Sequence, residues 1–490
     1  MSKSSKPGFA GPLEQIDECR WRIPLDYKLG MRVPGEIFAD AELIEQIRAD
    51  QAAEQVANVA MLPGIRTASM AMPDIHWGYG FPIGGVAATD PADGGVVSPG
   101  GVGYDINCGV RLIRTRLTED EVRPELEPLM SLLHRRVPSG VGRGGRYKFR
   151  GKDMHKLLRG GVEYLKECGY ATQGDIDHTE AGGRLRGAAP DRLSEKVLRR
   201  GEEQCGTLGA GNHFLELQVV EEVVDETAAR AFGLQPGQLC VMIHSGSRGL
   251  GHQVCEDSLK TMRGAPKKYG IDLPDKQLVC APVDSPEGRE YLESMNCAAN
   301  FAWANRQLLM WQVREAMAEF TGEEWESLGL GLVYDVAHNI AKLERHTVEG
   351  RQCELCVHRK GATRAFPADH PETPAAYCHV GQPVIIPGDM GRASWVLVGQ
   401  PDSMNRSFGS SCHGAGRLMS RSAAIKSAKG RRIDRELAEK GVITKCRSWK
   451  GLAEEQPDAY KDVRMVVDVV DRAGLARKVA RLRPIGVVKG

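Results

Sequence analysis

Across 490 residues, no apolar run approaches the roughly 20 residues that a membrane-spanning helix needs. The N-terminal stretch also lacks a secretory pattern. These absences lead to the expectation of a cytoplasmic protein that needs no membrane. The thirteen cysteines, from Cys19 to Cys446, lack the spacing of a disulfide framework, so reduced thiols are expected. No Pro/Ser-rich or single-charge stretch offers a linker. One domain over residues 1–490 is therefore expected, with residues 1–20 as a candidate flexible segment. An excess of one charge is missing too, because Lys+Arg 65 against Asp+Glu 64 leaves a formal +1. Any polyanion must then be met by a local basic patch.

What is present suits a globular protein, with 41% hydrophobic and 26% charged residues. Apolar residues at helical spacing predict an amphipathic helix from Ala41 to Val59. A second helical block near Glu121 to His134 runs into Arg135 to Lys152, where glycines break the pattern and Arg143, Arg146, Lys148, Arg150 and Lys152 alternate with Tyr147 and Phe149. Two readings fit this stretch: a nucleic-acid loop with cations for phosphates and rings for bases, or a solvated surface loop. Cys353-Glu-Leu-Cys356 with Cys378-His379 invites a zinc knuckle. Its second half is neither CxxC nor HxxxH, which counts against that reading.

One pattern recurs: an apolar run of strand length beside a glycine-rich turn holding Asp, Cys or His. It places Asp105 and Cys108 before Val110-Arg-Leu-Ile, and Asn212-His213 before Phe214-Leu-Glu-Leu. It also places His244 after Leu239-Cys-Val-Met-Ile, and His338-Asn339 after Leu330-Gly-Leu-Val-Tyr-Asp-Val-Ala. Polar groups at strand ends are how many α/β proteins build sites, although glycine turns also occur without a ligand. Asp105, Cys108, His213, His244 and His338 supply a carboxylate, a thiolate and three imidazoles. That is enough for two metal ions if the thiolate bridges, an arrangement suited to phosphate-ester chemistry. Ligand softness favours zinc for Cys and His, whereas carboxylate and phosphate oxygens suit manganese or magnesium.

If Asn212 to Glu216 is extended, Asn212 and Glu216 share one face about 13 Å apart while His213 takes the other. Glu216 can accept from the paired N–H donors of guanine's edge, or be an ordinary half-buried glutamate. His413-Gly-Ala-Gly416 lies ahead of a basic stretch, Arg417 to Lys426, read as a helix. Loop amides and a helix N-terminus there would favour phosphate, and a neutral His413 beside it would be a nucleophile toward phosphorus.

Taken in order, eight motifs resemble the RtcB-type RNA ligases from about residue 20 to the end. They are Met72-Pro-Asp-Ile-His76, Ser98 to Gly109, Leu208 to His213, His244-Ser-Gly-Ser-Arg248-Gly, Tyr334 to Asn339, His358-Arg-Lys-Gly361, Cys412 to Gly416 and Val487-Val-Lys489-Gly. The resemblance implies an α+β fold, a single large domain with a sandwich-like β-sheet core surrounded by helices. It implies an enzyme using two Mn²⁺ ions and GTP to join RNA ends bearing a 2′,3′-cyclic phosphate or 3′-phosphate to 5′-hydroxyl ends. RNA would be the partner, with an archease-type activator a further candidate and no requirement for DNA.

By the same resemblance, His413 would be guanylylated, Asp74 would orient it, and Arg248 would lie by the RNA phosphate. One ion would take Asp105, Cys108 and His213, the other Cys108, His244 and His338. The nucleotide residues would be Asn212, His213, Phe214, Leu215, Glu216, His338, Asn339, Pro387, Gly388, Asp389, Met390, Ser394, His413, Gly414, Ala415, Gly416, Tyr460 and Lys489. Asp389 departs from the family pattern, where Ser or Thr often stands; a carboxylate there either takes a guanine donor more strongly or repels phosphate. Two rival readings share these residues: a binuclear RNA phosphodiesterase or phosphatase in which His413 only holds phosphate, and a non-catalytic RNA-binding subunit whose metal is structural.

Overall fold

The apolar runs assemble into two large sheets in the computed structural model, which describes residues 8–140, 142 and 144–490. The first sheet orders Glu14–Asp17, Arg20–Ile23, Gly35–Phe38, Ser69–His76, Ile83–Thr89, Arg351–Lys360 and Asn339–Val348. The second orders Gly331–Ala337, Gly109–Thr118, Gln238–Ser245, Phe214–Val223, Ala476–Lys489, Ser394–Gly399 and Pro383–Ile386. Ile443–Cys446 joins it in parallel along Ala476–Lys489. Its two end strands approach each other, so the sheet nearly closes. The result is one α+β domain with a sandwich-like core and helices around it, as expected.

Period-two alternation sets the faces of the second sheet. Leu215, Leu217, Val241 and Ile243 pack with Leu129, Met310 and Val313 of the helices Leu126–Arg136 and Pro286–Thr321. Phe214, Met242, Val110 and Leu112 face the other way with Val396 and Val398. A one-residue slip of Phe214–Val223 would bring Leu215 and Leu217 out of the helix-covered core, at about 1.5–3 kcal/mol each.

The 36-residue helix Pro286–Thr321 begins with Pro286 after a Ser285 cap that accepts from Gly288 N, and ends at Gly322 with φ +74°. It carries a buried cation into the sheet. Arg306 donates to both oxygens of Asp335 (2.9 and 2.7 Å), to Asn107 O (2.7 Å) and to Ser245 O (3.0 Å). Arg111 donates to the same Asp335 carboxylate at 2.8 Å. Residues beside Cys108 and His244 are thus tied to one point. Among the described residues, no helix is long and apolar enough to cross a membrane.

Several sequence expectations change here. The helix expected from Ala41 to Val59 is two, Ala41–Arg48 and Ala52–Val59. Asp50 lies between them, and its carboxylate accepts from the backbone of Gln51 (2.5 Å) and Trp77 (3.1 Å), competing with helical bonding. In Arg135 to Lys152 the rings are not offered to solvent: Tyr147 and Phe149 are 6% and 8% exposed, with Tyr147 edge-on to Tyr170. Arg146 pairs with Glu315, and Arg150 lies 3.7 Å from Glu202, while Arg143 falls outside the described residues. Part of the 1–20 segment is packed, with Phe9 buried and Glu14–Asp17 an edge strand; residues 1–7 fall outside the described residues. Cys353 and Cys356 sit on one strand at an odd separation, which turns them to opposite faces.

Candidate active site and metal centre

Register builds the first part of the site. Cys108 precedes the strand Gly109–Thr118, His213 precedes Phe214–Val223, and His244 closes Gln238–Ser245, where it pairs with both Val110 and Phe214. The chain leaves the second sheet at Ala337 and enters the first at Asn339, so His338 stands at the crossover. His338 N donates to Cys108 O at 2.9 Å, fixing the crossover against the turn. In that turn Cys108 N bonds back to Asp105 O (3.0 Å), which brings Asp105 and Cys108 to one side.

Five donors converge. Cys108 Sγ lies 3.4 Å from His213 Nε2 and 3.2 Å from His244 Nε2. His244 Nε2 is 3.3 Å from His338 Nε2, and His213 Nε2 is 2.9 Å from Asp105 Oδ2. They form two metal-competent groups, Cys108/His244/His338 and Asp105/Cys108/His213, with all donor atoms of a group within 4.8 Å. Cys108 belongs to both, which is the sharing expected of a bridging thiolate. Burial pushes His244 and His338 well below the usual imidazole range, leaving neutral lone pairs. Imidazole nitrogens and a sulfur crowded this closely fit cations better than one another, so the donor set suits two metal ions.

Beside them the backbone makes room. Gly246 faces Asp105 so closely that a Cβ there would overlap the carboxylate, and Ser247 N donates to Asp105 Oδ1 at 3.0 Å. Arg248 then takes φ +54°, a conformation costly for a side-chain-bearing residue. Its guanidinium comes within 3.4 Å of His213 Nδ1 and donates through Nε to Thr207 Oγ1 at 3.2 Å.

His413 follows the short strand Ser410–Cys412 and belongs to neither metal group. Its Nδ1 is 2.5 Å from Asp74 Oδ2, on a carboxylate that is 0% exposed. The same oxygen accepts from His413 N (3.0 Å) and Gly414 N (3.2 Å). Burial would raise the Asp74 carboxyl, but the His413 charge and these bonds outweigh it and hold the group below its ordinary range. Gly416 has φ +75° and lies against Asp74 O, where a Cβ would clash, so the loop can close only on glycine. The stretch after it differs from expectation: the helix is Arg421–Ser427, capped by Ser420, and two of the loop's amides are committed to Asp74 instead of being free for phosphate. Cys412 is buried, and burial pushes its thiol well up.

Metal groups and His413 open on a cavity of about 650 Å³. Asn212, Phe214 and Glu216 line it in alternation, with Asn212 in a turn just before the strand. Burial raises the Glu216 carboxyl to about 7, and Gln218 Nε2 donates to it at 2.7 Å and to Ser394 Oγ at 3.0 Å. Asp389 is raised to about 6, again mainly by burial; its Oδ1 accepts from Gly391 N and its Oδ2 lies 3.3 Å from Arg392. Lys489 Nζ is 3.9 Å from the buried Glu455, which also accepts from Tyr460 OH and, at 3.1 Å, from Arg417.

The sequence profile described as "tRNA-splicing ligase RtcB" matches residues 55–490. The protein named tRNA-splicing ligase RtcB from Thermococcus kodakarensis is 54% identical over 479 residues, covering 98% of this chain and 99% of its own. That of Archaeoglobus fulgidus is 51% identical over 480 residues, covering 98% and 99%. The RNA-splicing ligase RtcB of Mycobacterium tuberculosis is 51% identical over 438 residues, covering 89% of this chain and 100% of its own.

The chain belongs to the RtcB family of tRNA-splicing ligases.

Set against the residues expected from the RtcB resemblance, the structure gathers nearly all of them. His338, Asn339, Pro387, Gly388, Asp389 and Met390 line the cavity, as do His413, Gly414, Ala415, Gly416, Tyr460 and Lys489. Ser394 lies behind Glu216 and reaches it through Gln218. Leu215 turns the other way: its side chain is in the helix-covered core, on the face opposite Phe214 and Glu216. Sequence reasoning missed Gln218, which the two-residue spacing from Glu216 could have flagged, and Glu455, which no local signal marks. It also gave no role to Lys360, which lines the cavity and donates to Tyr79 O (2.6 Å) and Phe81 O (3.1 Å).

Proposed function

We propose that this RtcB-family protein is a GTP- and Mn²⁺-dependent RNA ligase. It seals 2′,3′-cyclic-phosphate or 3′-phosphate ends to 5′-hydroxyl ends through a guanylylated His413. The observation that carries the reading is His413 itself, held by buried Asp74 through Nδ1 and standing outside both metal groups. That contact leaves Nε2 with the lone pair. Attack of Nε2 on the α-phosphorus of GTP forms a P–N bond as the bond to pyrophosphate breaks. Asp74 stabilises the positive imidazole that results. An RNA 3′-phosphate oxygen then takes the guanylyl group, breaking P–N, and the 5′-hydroxyl oxygen attacks the activated 3′-phosphate and expels GMP. A 2′,3′-cyclic end first takes up water to give the 3′-phosphate.

Metal ions held by Asp105, Cys108, His213, His244 and His338 would supply Lewis acidity toward phosphate oxygens. Manganese rather than zinc suits a site that combines Asp105 with phosphate oxygens. In this reading Glu216 accepts from guanine's two adjacent N–H donors, Asp389 takes one more, and Lys489 and Tyr460 close the nucleotide end.

Incubation with α-labelled GTP and Mn²⁺ should leave an acid-labile, alkali-stable label that is absent from His413→Ala. No label in wild type, or full label in the variant, would sink the reading. Turnover of cyclic-phosphate RNA without any guanine nucleotide would favour a phosphodiesterase instead.

Glu216 gives a pH prediction. With its carboxyl raised to about 7, the accepting carboxylate form is depleted at lower pH. Affinity for guanosine, which has no phosphate to titrate, should rise about tenfold per pH unit up to 7 and level off above it. Glu216→Gln should bind weakly and lose the rise between pH 6 and 7, keeping only the dependence below about 6 that Asp389 supplies. A wild-type profile flat from pH 5.5 to 8 by calorimetry would rule out the carboxylate as guanine reader.

A further inference from the structure

The rings at Tyr147 and Phe149 are in the core, yet another pair of rings does face the site. Tyr79 and Tyr104 both line the cavity, edge-on to each other with centroids 5.6 Å apart. His252 lies tilted against Tyr104 at 4.8 Å, extending the row of rings. Both tyrosines are half-buried, and among the described residues neither hydroxyl has a hydrogen-bond partner. Tyr377, by contrast, donates to Val333 O at 2.7 Å.

Their anchoring is as telling as their exposure. Tyr104 immediately precedes Asp105, a member of one metal group. Tyr79 O accepts from Lys360 Nζ, and the neighbouring Gly361 sits so close to the His413 ring that a Cβ there would be 3.0 Å from Cε1. The two rings are therefore fixed to the metal groups on one side and to the His413 loop on the other. The nucleotide assignment, with Glu216, Asp389 and Lys489, gives them nothing to do.

We propose that Tyr79 and Tyr104 form a stacking subsite for the nucleobase of a terminal RNA nucleotide. The subsite places that nucleotide's phosphate or hydroxyl between the metal groups and His413. Stacking grips the π-face that every base has, so it fixes an end without reading its sequence. The proposal rests on the ligase reading. The base can come from the 3′-phosphate end or the 5′-hydroxyl end, and the substrates below separate the two.

The test compares GTP-dependent joining of RNAs whose 3′-terminal or 5′-terminal nucleotide is intact or abasic. Wild type should prefer the intact base at one terminus, by roughly 5- to 100-fold in kcat/KM, and that terminus names the source. The preference should fall to near unity in Tyr104→Ala and persist in Tyr104→Phe. Because it is a ratio of two substrates on one enzyme, partial loss of fold or metal cancels. Should Tyr104→Ala not fold, Tyr79→Ala gives the same readout. No preference at either terminus in wild type overturns the subsite, as does a preference unchanged in the alanine variant or lost equally in Tyr104→Phe. Failure of the ligase reading looks different: wild type then shows neither GTP-dependent joining of intact RNA nor label on His413.

Discussion

Asp74→Asn is expected to slow guanylylation of His413 by about 10³- to 10⁴-fold while GTP affinity changes little. The carboxylate makes three contacts through one oxygen, with His413 Nδ1, His413 N and Gly414 N. An asparagine oxygen can keep both backbone contacts, so the loop should stay in place. It cannot keep the charge that balances the imidazole once Nε2 bonds to phosphorus. Nearby Lys461, which donates to Pro73 O (3.0 Å) and Ile75 O (2.9 Å), would lose the same counter-charge. Single-turnover labelling by rapid quench reads the rate, and calorimetry reads GTP binding. A variant that labels at the wild-type rate but binds GTP poorly would show that Asp74 serves only the loop.

Cys108→Ala should take the protein from two bound metals to none and abolish labelling. The expectation follows from the shared sulfur: Cys108 Sγ is the donor common to both groups, 3.4 Å from His213 Nε2 and 3.2 Å from His244 Nε2. Removing an unshared donor is a different experiment. Asp105→Asn should weaken only the group with His213, leaving Cys108, His244 and His338 to hold one ion. Elemental analysis after dialysis against trace Mn²⁺ distinguishes the cases, and two metals retained in Cys108→Ala would disprove the bridge. The alanine removes a small buried side chain next to Gly109, so the sheet register should survive and circular dichroism should match wild type.

Much of the candidate metal centre was legible because its residues sit where local pattern is strongest. Cys108, His213, His244 and His338 each adjoin an apolar run and a turn, and strand ends converge once the runs pair. What joins them was not legible. The Arg306 contacts to Asn107, Ser245 and Asp335 span up to 199 positions, and nothing in a helix-period pattern says which buried arginine will reach a strand end. Glu455 enters the cavity from a segment whose composition reads as an ordinary helix end. Tyr147 and Phe149 were ambiguous for the opposite reason. Their neighbours are glycine and cations, which look like an exposed loop, while the socket that buries Tyr147 comes partly from Tyr170. The single helix expected from Ala41 to Val59 missed the Asp50 carboxylate that captures Gln51 N and Trp77 N. Local periodicity reports faces, and it does not report what a polar side chain will find across the fold.

The strand Ala476–Lys489 lies inside the second sheet, between Phe214–Val223 and Ser394–Gly399, and its Lys489 reaches the cavity. During synthesis, Phe214–Val223 therefore waits with one edge open while more than 250 further residues are translated. Neither the central sheet nor the Lys489 end of the cavity can close until residue 489 has cleared the ribosome. A chain that stops short of this strand leaves the edge of Phe214–Val223 unpaired and lacks Lys489, and it is expected to be inactive.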